Sequence, residues 1–292
     1  MSLKDAYLSA VERLQVSGVP EPELDAWYLL EHVTGISRAA YYAEPDRELG
    51  EEQRNAYEAL VGRRALRIPL QHITGVQEFM GLEFSVSGAV LIPRQDTEVL
   101  VEEALRVLKE EDLPGQKGET AVLDVCTGSG CILLSVLYYA KQAGMGAVRG
   151  TGSDLSGDAL CMAEKNAEKL GVKAQFFQSD LFDKISGRYS IILSNPPYIR
   201  RQEIEELQPE VRDGDPRMAL DGGEDGLDFY RKISRESTEH LLQGGYLMFE
   251  IGCGQAADVA GMMEREGFAD IRVKKDLAGL DRVVYGRYRQ KG

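Results

Sequence analysis

The chain has 292 residues, 43% of them hydrophobic, and 34 Lys and Arg stand against 48 Asp and Glu for a formal net charge of −14. That length exceeds what one compact core usually holds, so two domains are expected, and the longest apolar run is far too short to span a bilayer. The acidic balance has the wrong sign for a protein that grips a phosphate backbone mainly through Lys and Arg, and it suits a basic protein partner.

The opening residues Met1-Ser2-Leu3-Lys4-Asp5-Ala6-Tyr7 lack the charged-then-apolar layout of an export signal. A soluble cytoplasmic protein with no membrane partner is expected. Across positions 3–66 apolar residues recur at spacings of three and four, as in Leu3, Ala6, Tyr7, Ala10 and Leu14 and again in Leu24, Trp27, Tyr28 and Val33, with Pro20, Pro22 and Pro45 as breaks. This pattern predicts a small helical bundle. Its aromatics Trp27, Tyr28, Tyr41 and Tyr42 suit either a core or a partner surface. Arg63, Arg64 and Arg67 form one candidate basic patch, and Arg200 with Arg201 a second that Glu203, Glu205 and Glu206 dilute. The cysteines at 126, 131, 161 and 253 and the histidines at 32, 72 and 240 have neither disulfide-scaffold density nor metal-ligand spacing, so no metal site is expected.

From 77 to 92, Phe79, Leu82, Phe84 and Val86 with Gly81 and Gly88 predict a β-hairpin linker. Asp96 is expected to cap a helix running to about position 110. A loop over 113–119 leads into a sheet domain from 120 to the end. There Val122-Leu123-Asp124-Val125-Cys126-Thr127-Gly128-Ser129-Gly130 and the apolar run at 132–137 read as strand, glycine turn and helix start, the context of a nucleotide-type cofactor loop. Gly128 and Gly130 permit a sharp turn and close ligand approach, and Asp124 can take a cationic group or brace the loop amides. Position 133 is Leu where a dinucleotide loop has its third Gly, which favours a cofactor without a pyrophosphate. The next strand, 147–152, ends in Ser153-Asp154 before a helix over 156–170, so Asp154 is placed to accept ribose hydroxyls, to cap the helix, or to do both. Strand 174–178 ends in Ser179-Asp180-Leu181-Phe182. Asp180 can meet an adenine amino group with Leu181 or Phe182 beside its ring, or the three are a turn acid and two core residues.

The apolar run at 189–193 ends in Asn195-Pro196-Pro197-Tyr198. A Pro pair removes two backbone donors and fixes two φ angles, so Asn195 and the Pro196 carbonyl stand as stiff acceptors that can grip both hydrogens of a planar NH₂ group. Tyr198 adds an aromatic wall. The same string also serves as a tight turn. Segments 245–251, 268–273 and 281–288 predict three more strands, the last pair antiparallel.

One loop, one acid, one polar-apolar pair and one Asn-Pro-Pro-Tyr at four consecutive strand ends resemble the layout of Rossmann-like S-adenosylmethionine-dependent methyltransferases. Leu91-Ile92-Pro93-Arg94-Gln95-Asp96-Thr97-Glu98, Pro69-Leu70-Gln71-His72-Ile73-Thr74-Gly75, Asp215-Pro216-Arg217-Met218-Ala219-Leu220 and Gly222-Gly223-Glu224-Asp225-Gly226-Leu227-Asp228 extend the resemblance. With the Asn-Pro-Pro-Tyr-Ile run, they are similar over nearly the whole chain to the bacterial release-factor glutamine methyltransferase family, HemK/PrmC. The resemblance implies an α/β fold with a Rossmann-like seven-stranded sheet, divided as 1–75 helical bundle for substrate recognition, 76–95 hairpin linker and 96–292 methyltransferase domain. It implies S-adenosyl-L-methionine contacts at Asp124, Cys126, Thr127, Gly128, Ser129, Gly130, Asp154, Asp180, Leu181 and Asn195. Asn195, Pro196, Pro197 and Tyr198 would receive the glutamine of the Gly-Gly-Gln loop of peptide chain release factors for methylation at N5. The bundle and the acidic stretch 203–228 are expected to recognise the release factor away from the reacting loop. The chain departs from the family pattern at Cys126, a usual Gly, at Gln95, a common Pro, and at Leu181, often Trp. Two other readings are a nucleic-acid exocyclic-amine methyltransferase of the N6-adenine type and a non-catalytic cofactor-binding scaffold. Charge sign weighs against the first and an intact Asn-Pro-Pro-Tyr against the second.

Overall fold

The structure, a computed structural model, describes residues 1–115 and 119–289. One unit holds Met1–Val76 with Gln208–Gly214, and the other holds Gln77–Leu207 with the chain from Asp215 onward.

The first unit is built from α1 (Leu3–Val16), α2 (Pro22–Thr34), α3 (Arg38–Ala43), α4 (Glu51–Ala65) and α5 (Leu70–Thr74). Ser2 starts α1 through a reciprocal box, its hydroxyl accepting from the Asp5 N–H while the Asp5 carboxylate accepts from the Ser2 N–H. Pro22 sits in the first turn of α2, where its missing N–H is harmless, and Gly35 at φ +67 closes that helix. Leu3, Ala6, Ala10 and Leu14 meet Leu29, Leu30 and Tyr57 in the core. The aromatic set splits: Trp27 and Tyr41 are buried, whereas Tyr28 and Tyr42 are exposed.

Two of the three arginines at 63–67 are held in ion pairs. Arg64 is buried and donates to Asp25 at 2.6 Å and to Glu210 at 2.8 Å, and Arg67 Nε donates to the same Glu210 at 2.6 Å. Burial raises the Glu210 pKa, but Arg67 and Arg64 win and hold it down to about 2. These ion pairs are how residues 208–214 come to belong to the helical unit. The second arginine pair is also engaged, Arg201 with Asp221 at 2.9 Å and Arg200 within 3.8 Å of Glu203.

The second unit opens with the hairpin β1 (Val76–Phe79) and β2 (Leu82–Ser85). It continues through α6 (Glu98–Glu110), β3 (Glu119–Val125), α7 (Cys131–Gln142), β4 (Ala147–Asp154), α8 (Gly157–Leu170), β5 (Ala174–Gln178) and β6 (Tyr189–Ser194). After α9 (Pro209–Arg212), which lies in the helical unit, come α10 (Asp228–His240), β7 (Leu241–Glu250), α11 (Ala256–Arg265), β8 (Phe268–Lys275) and β9 (Asp281–Tyr288). The sheet has the order β5-β4-β3-β6-β7-β9-β8; its first five strands are parallel, and β9 runs antiparallel to both neighbours. Helices cover both faces, so the parallel strands are nearly continuous apolar runs; every residue of β6 is buried. Alternation sends Leu123, Ile192, Leu247 and Phe249 to one core and Val122, Ile191, Leu193 and Met248 to the other. Strand order reverses at β3, whose neighbours are β4 and β6, and an open α/β sheet binds ligands at such a switch point, beyond the strands' C-terminal ends.

The hairpin is present as expected, and Phe79 and Phe84 anchor it in the sheet unit's core. Several expectations are corrected. Asp96 does not cap α6; a 3₁₀ turn, Gln95–Thr97, leads into it, and Asp96 lies 3.2 Å from Arg282. Strand β7 begins at Leu241, four residues earlier than expected, and tolerates Gly244 and Gly245 through a register irregularity beside β6. Glu119 opens β3, while residues 116–118 of the expected loop lie outside the described residues.

Candidate active site

The loops after β3, β4, β5 and β6 converge on a cavity of about 400 Å³. In the first loop, Cys126 takes φ +62 and Gly128 φ +55. Cys126 and Leu181, at φ +47, are the cavity-lining members of the five non-glycine residues with positive φ among the described residues, and backbone strain of this kind collects at binding sites. The Gly position taken by Cys126 is thus built in left-handed geometry despite the side chain. A Cβ on Gly128 would meet open space, whereas one on Gly130 (φ +78) would come within 3.1 Å of Ala163 Cβ and Leu134 Cδ1. Gly128 therefore leaves room on the ligand side, and Gly130 lets α7 start tight against α8.

The acids hold this loop in shape. Asp124 is fully buried, does not line the cavity, and accepts from the Thr127 hydroxyl at 2.6 Å. Burial raises its pKa to about 7. Asp154 does line the cavity, with Oδ2 accepting from the Gly128 N–H and Oδ1 from the Ser156 N–H, both at 2.9 Å. The N-cap of α8 is Ser156, whose hydroxyl accepts from Ala159 N–H. So Asp154 ties loop to loop, and each of its oxygens keeps a lone pair. Nearby, Ser153 Oγ is buried, borders the cavity and has no hydrogen-bond partner.

After β5, exposed Asp180 and buried Leu181 both reach the cavity, but Phe182 packs into the core and stacks on His240 at 4.9 Å. After β6, Ser194 donates to the Val125 carbonyl at 2.7 Å, binding the two central strand ends together. Half-buried Asn195 and buried Pro197 line the cavity; Pro196 and Tyr198 do not. Asn195 Nδ2 points to Thr97 Oγ1 at 3.5 Å. Tyr198 stands behind the string rather than on the cavity wall, its hydroxyl donating to Glu250 Oε1 at 3.4 Å.

Residues without an assigned role in the sequence reading complete the site. Arg94 lines the cavity and pairs at 2.6 Å with buried Asp215, which also accepts from the Ile92 N–H at 3.2 Å. Thr97, Phe229 and Lys232 line it as well. Gly222 and Gly226 let their segment lie flat on the Asn-Pro-Pro-Tyr backbone: a Cβ on Gly222 would sit 2.8 Å from the Pro197 carbonyl oxygen, and one on Gly226 2.4 Å from that of Tyr198. Gln255 clamps the same strand end, donating to the Tyr198 and Gly226 carbonyls at 3.1 and 3.2 Å. The available signal was the strings at 91–98 and 215–228, whose Pro, Gly and charge pattern stands out without saying what it touches.

Among the described residues no group of three or more His, Cys, Asp or Glu is placed to hold a metal ion, and no helix is long and apolar enough to cross a membrane.

Two family models match the chain, the PrmC N-terminal domain over residues 5–75 and the methyltransferase small domain over residues 100–210. The chain is 46% identical over 275 residues to the release factor glutamine methyltransferase of Geobacter sulfurreducens, covering 94% of this chain and 92% of that protein. It is 42% identical over 279 residues to the release factor glutamine methyltransferase of Agrobacterium fabrum, covering 95% and 94%. A methyltransferase structure from Pyrococcus furiosus, 14% identical with a TM-score of 0.52, covers 72% of this chain and 91% of its own and shows the same fold.

Proposed function

We propose a function that proceeds from one premise: the chain belongs to the release factor glutamine methyltransferase family. It transfers a methyl group from S-adenosylmethionine to the N5 amide nitrogen of the glutamine in the Gly-Gly-Gln loop of peptide chain release factors, and so modulates translation termination.

The cavity suits that cofactor. Gly128 leaves space where a ligand must approach backbone, Asp154 offers free lone pairs to two vicinal hydroxyls, and the orphaned Ser153 hydroxyl awaits a polar partner. Thr127, Ser129 and Cys126 would lie along it, with Asp180 and Leu181 at an adenine ring and Asn195 near the reacting end. When bound, S-adenosylmethionine supplies an electrophilic methyl group on a sulfonium sulfur.

The protein's own part is positional. A carboxamide nitrogen is a poor nucleophile because its lone pair is delocalised, and none of the lining side chains is basic enough to deprotonate it beforehand. Asn195 Oδ1, on the cavity wall, instead accepts an N–H bond of the substrate NH₂ and fixes the direction of its lone pair, with the Pro196 carbonyl, set back from that wall, as the second acceptor once the substrate amide reaches it. Orientation of this kind supplies up to about 7–11 kcal/mol. As the nitrogen gains positive charge its N–H bonds become stronger donors, so the same acceptors hold the transition state more tightly than the ground state.

A single observation carries this reading: Asn195, at the tip of β6, lines the same cavity as the glycine loop and Asp154. Arg64 and Arg67 are consumed by Asp25 and Glu210, which removes the main basic patch that a nucleic-acid substrate would use. The release factor is met by the helical unit, and the protein acts in the cytoplasm. Incubation with labelled S-adenosylmethionine should put label on a purified release factor, none on its Gln→Ala loop variant and none on DNA; label on DNA, or equal label on the loop variant, would reject the function.

A further inference from the structure

The loop that joins β8 to β9 stands on the same edge of the sheet as the active-site loops. The cavity lies beyond the carboxyl ends of the parallel strands, and β9 starts back from that edge: Val283 pairs with Glu250, the last residue of β7, and the Ile251 N–H donates to the Arg282 carbonyl at 2.8 Å. Arg282 also lies 3.2 Å from Asp96, on the 3₁₀ turn whose Thr97 lines the cavity. The loop is therefore part of the rim around the site.

Its tip is Leu277-Ala278-Gly279-Leu280, four consecutive residues without a polar side chain, all of them exposed. Leu277 is 107% exposed and Leu280 44%. A single exposed leucine is ordinary, but an exposed apolar run of this length marks a contact surface. The tip is also stiff. Buried Asp276 stands at its base, with Oδ1 accepting from the Ala278 and Leu280 N–H groups at 2.9 and 3.0 Å and Oδ2 accepting from Arg282 Nε and Nη2 at 3.2 and 3.0 Å. The Asp276 N–H donates to the Leu280 carbonyl at 2.9 Å and the Gly279 N–H to the Asp276 carbonyl at 3.0 Å, and Gly279, at φ +81, supplies the left-handed residue that this turn needs. The leucines are thus presented on a preformed backbone, so covering them costs little loop ordering.

We propose that this tip docks the protein substrate: Leu277, flanked by Leu280, enters an apolar hollow on the release factor beside its Gly-Gly-Gln loop. The occupant follows from position. A glutamine carried on a protein loop reaches the cavity only if the surface around that loop comes down on the rim, and the tip projects from the rim with no charged group to desolvate. The tip touches no reacting atom, so it contributes equally to ground state and transition state and acts on binding alone. This inference rests on the function proposed above and names where its substrate is held.

The test compares Leu277→Ala and Leu277→Asp with the wild-type protein in kcat and KM on intact release factor, and in the Kd for release factor and for S-adenosylhomocysteine by calorimetry. The Leu277 side chain is wholly exposed, so both variants should keep the wild-type Tm. We expect KM and Kd for release factor to rise roughly 5- to 30-fold in Leu277→Ala, the scale of one lost apolar anchor. Leu277→Asp, which puts a charge into the hollow, should raise both further. In both variants kcat and the S-adenosylhomocysteine Kd should stay within about twofold of wild type, as they do when only uniform binding is lost. Wild-type KM and Kd for release factor in Leu277→Asp would overturn the proposal. A fall in kcat or a loss of S-adenosylhomocysteine binding would make the tip part of the site's own structure and overturn it too. A wild-type dimer that Leu277→Asp splits into monomers in sedimentation would assign the tip to a second copy of this chain and overturn it equally. Failure of the wild-type protein to label release factor would instead sink the function itself, so the two failures are separable.

Discussion

Asp154→Asn is the sharpest probe of how the cofactor loop is held. The carboxylate accepts one backbone N–H on each oxygen, Gly128 on Oδ2 and Ser156 on Oδ1, both at 2.9 Å. An amide of the same shape has one oxygen, so whichever way it turns, one backbone N–H faces an NH₂ donor. The variant therefore loses one hydrogen bond to a charged group and weakens the other, and since such a bond is worth about 1.5–3 kcal/mol, the net effect should lie in that range. Where the NH₂ turns toward Gly128 the loss falls on cofactor binding, a rise in S-adenosylhomocysteine Kd of roughly 10- to 150-fold, and where it turns toward Ser156 the loss falls on the start of α8 and shows in stability. Calorimetric titration gives the Kd, and thermal unfolding of the free protein gives the stability share, about 2–4 °C of Tm per kcal/mol for a unit of this size. An Asp154→Asn protein with unchanged Kd and unchanged Tm would refute the bracing role and leave Asp154 a solvated rim acid.

Gly130→Ala forces φ +78 on an alanine and drives its Cβ to 3.1 Å from Ala163 and Leu134, so the sheet unit should lose about 2–4 kcal/mol by denaturant unfolding; a loss under about 0.5 kcal/mol would show that α7 and α8 give way freely. Burial raises Asp124 and Glu250 to about 7 from 3.8 and 4.5, so the folded state holds protons that the unfolded chain has released, and stability should fall as pH rises from about 4.5 to about 7. Asp124→Asn and Glu250→Gln should each flatten that decline in Tm against pH.

The strand ends were legible because their punctuation is local: Gly128 and Gly130, Asp154 and the Pro196-Pro197 pair each act within a few residues of the strand they terminate. Seven strands in a Rossmann-like sheet follow from apolar runs of the right length between those signals. The supporting residues were not legible, because Thr97, Glu250 and Asp215 reach the site from segments whose local sequence gives no partner. Glu210 is a further case. In the sequence it is one acid among Glu203, Glu205 and Glu206, indistinguishable from a solvated face, and only the fold shows it drawn against Arg64 and Arg67. Asp96 misled in the other direction, since an acid ahead of an apolar run reads as a cap, yet it lies beside Arg282 on β9.

The central claim is that Asn195 works by aligning the substrate amide and not by holding the cofactor. Single-turnover methylation of release factor by Asn195→Ala, measured beside its S-adenosylhomocysteine Kd, tests this directly. The rate should fall by about 10²–10³ or more, the scale of removing one aligned transition-state contact, with the Kd within a few fold of wild type. A normal rate combined with a large loss of S-adenosylhomocysteine affinity would contradict it.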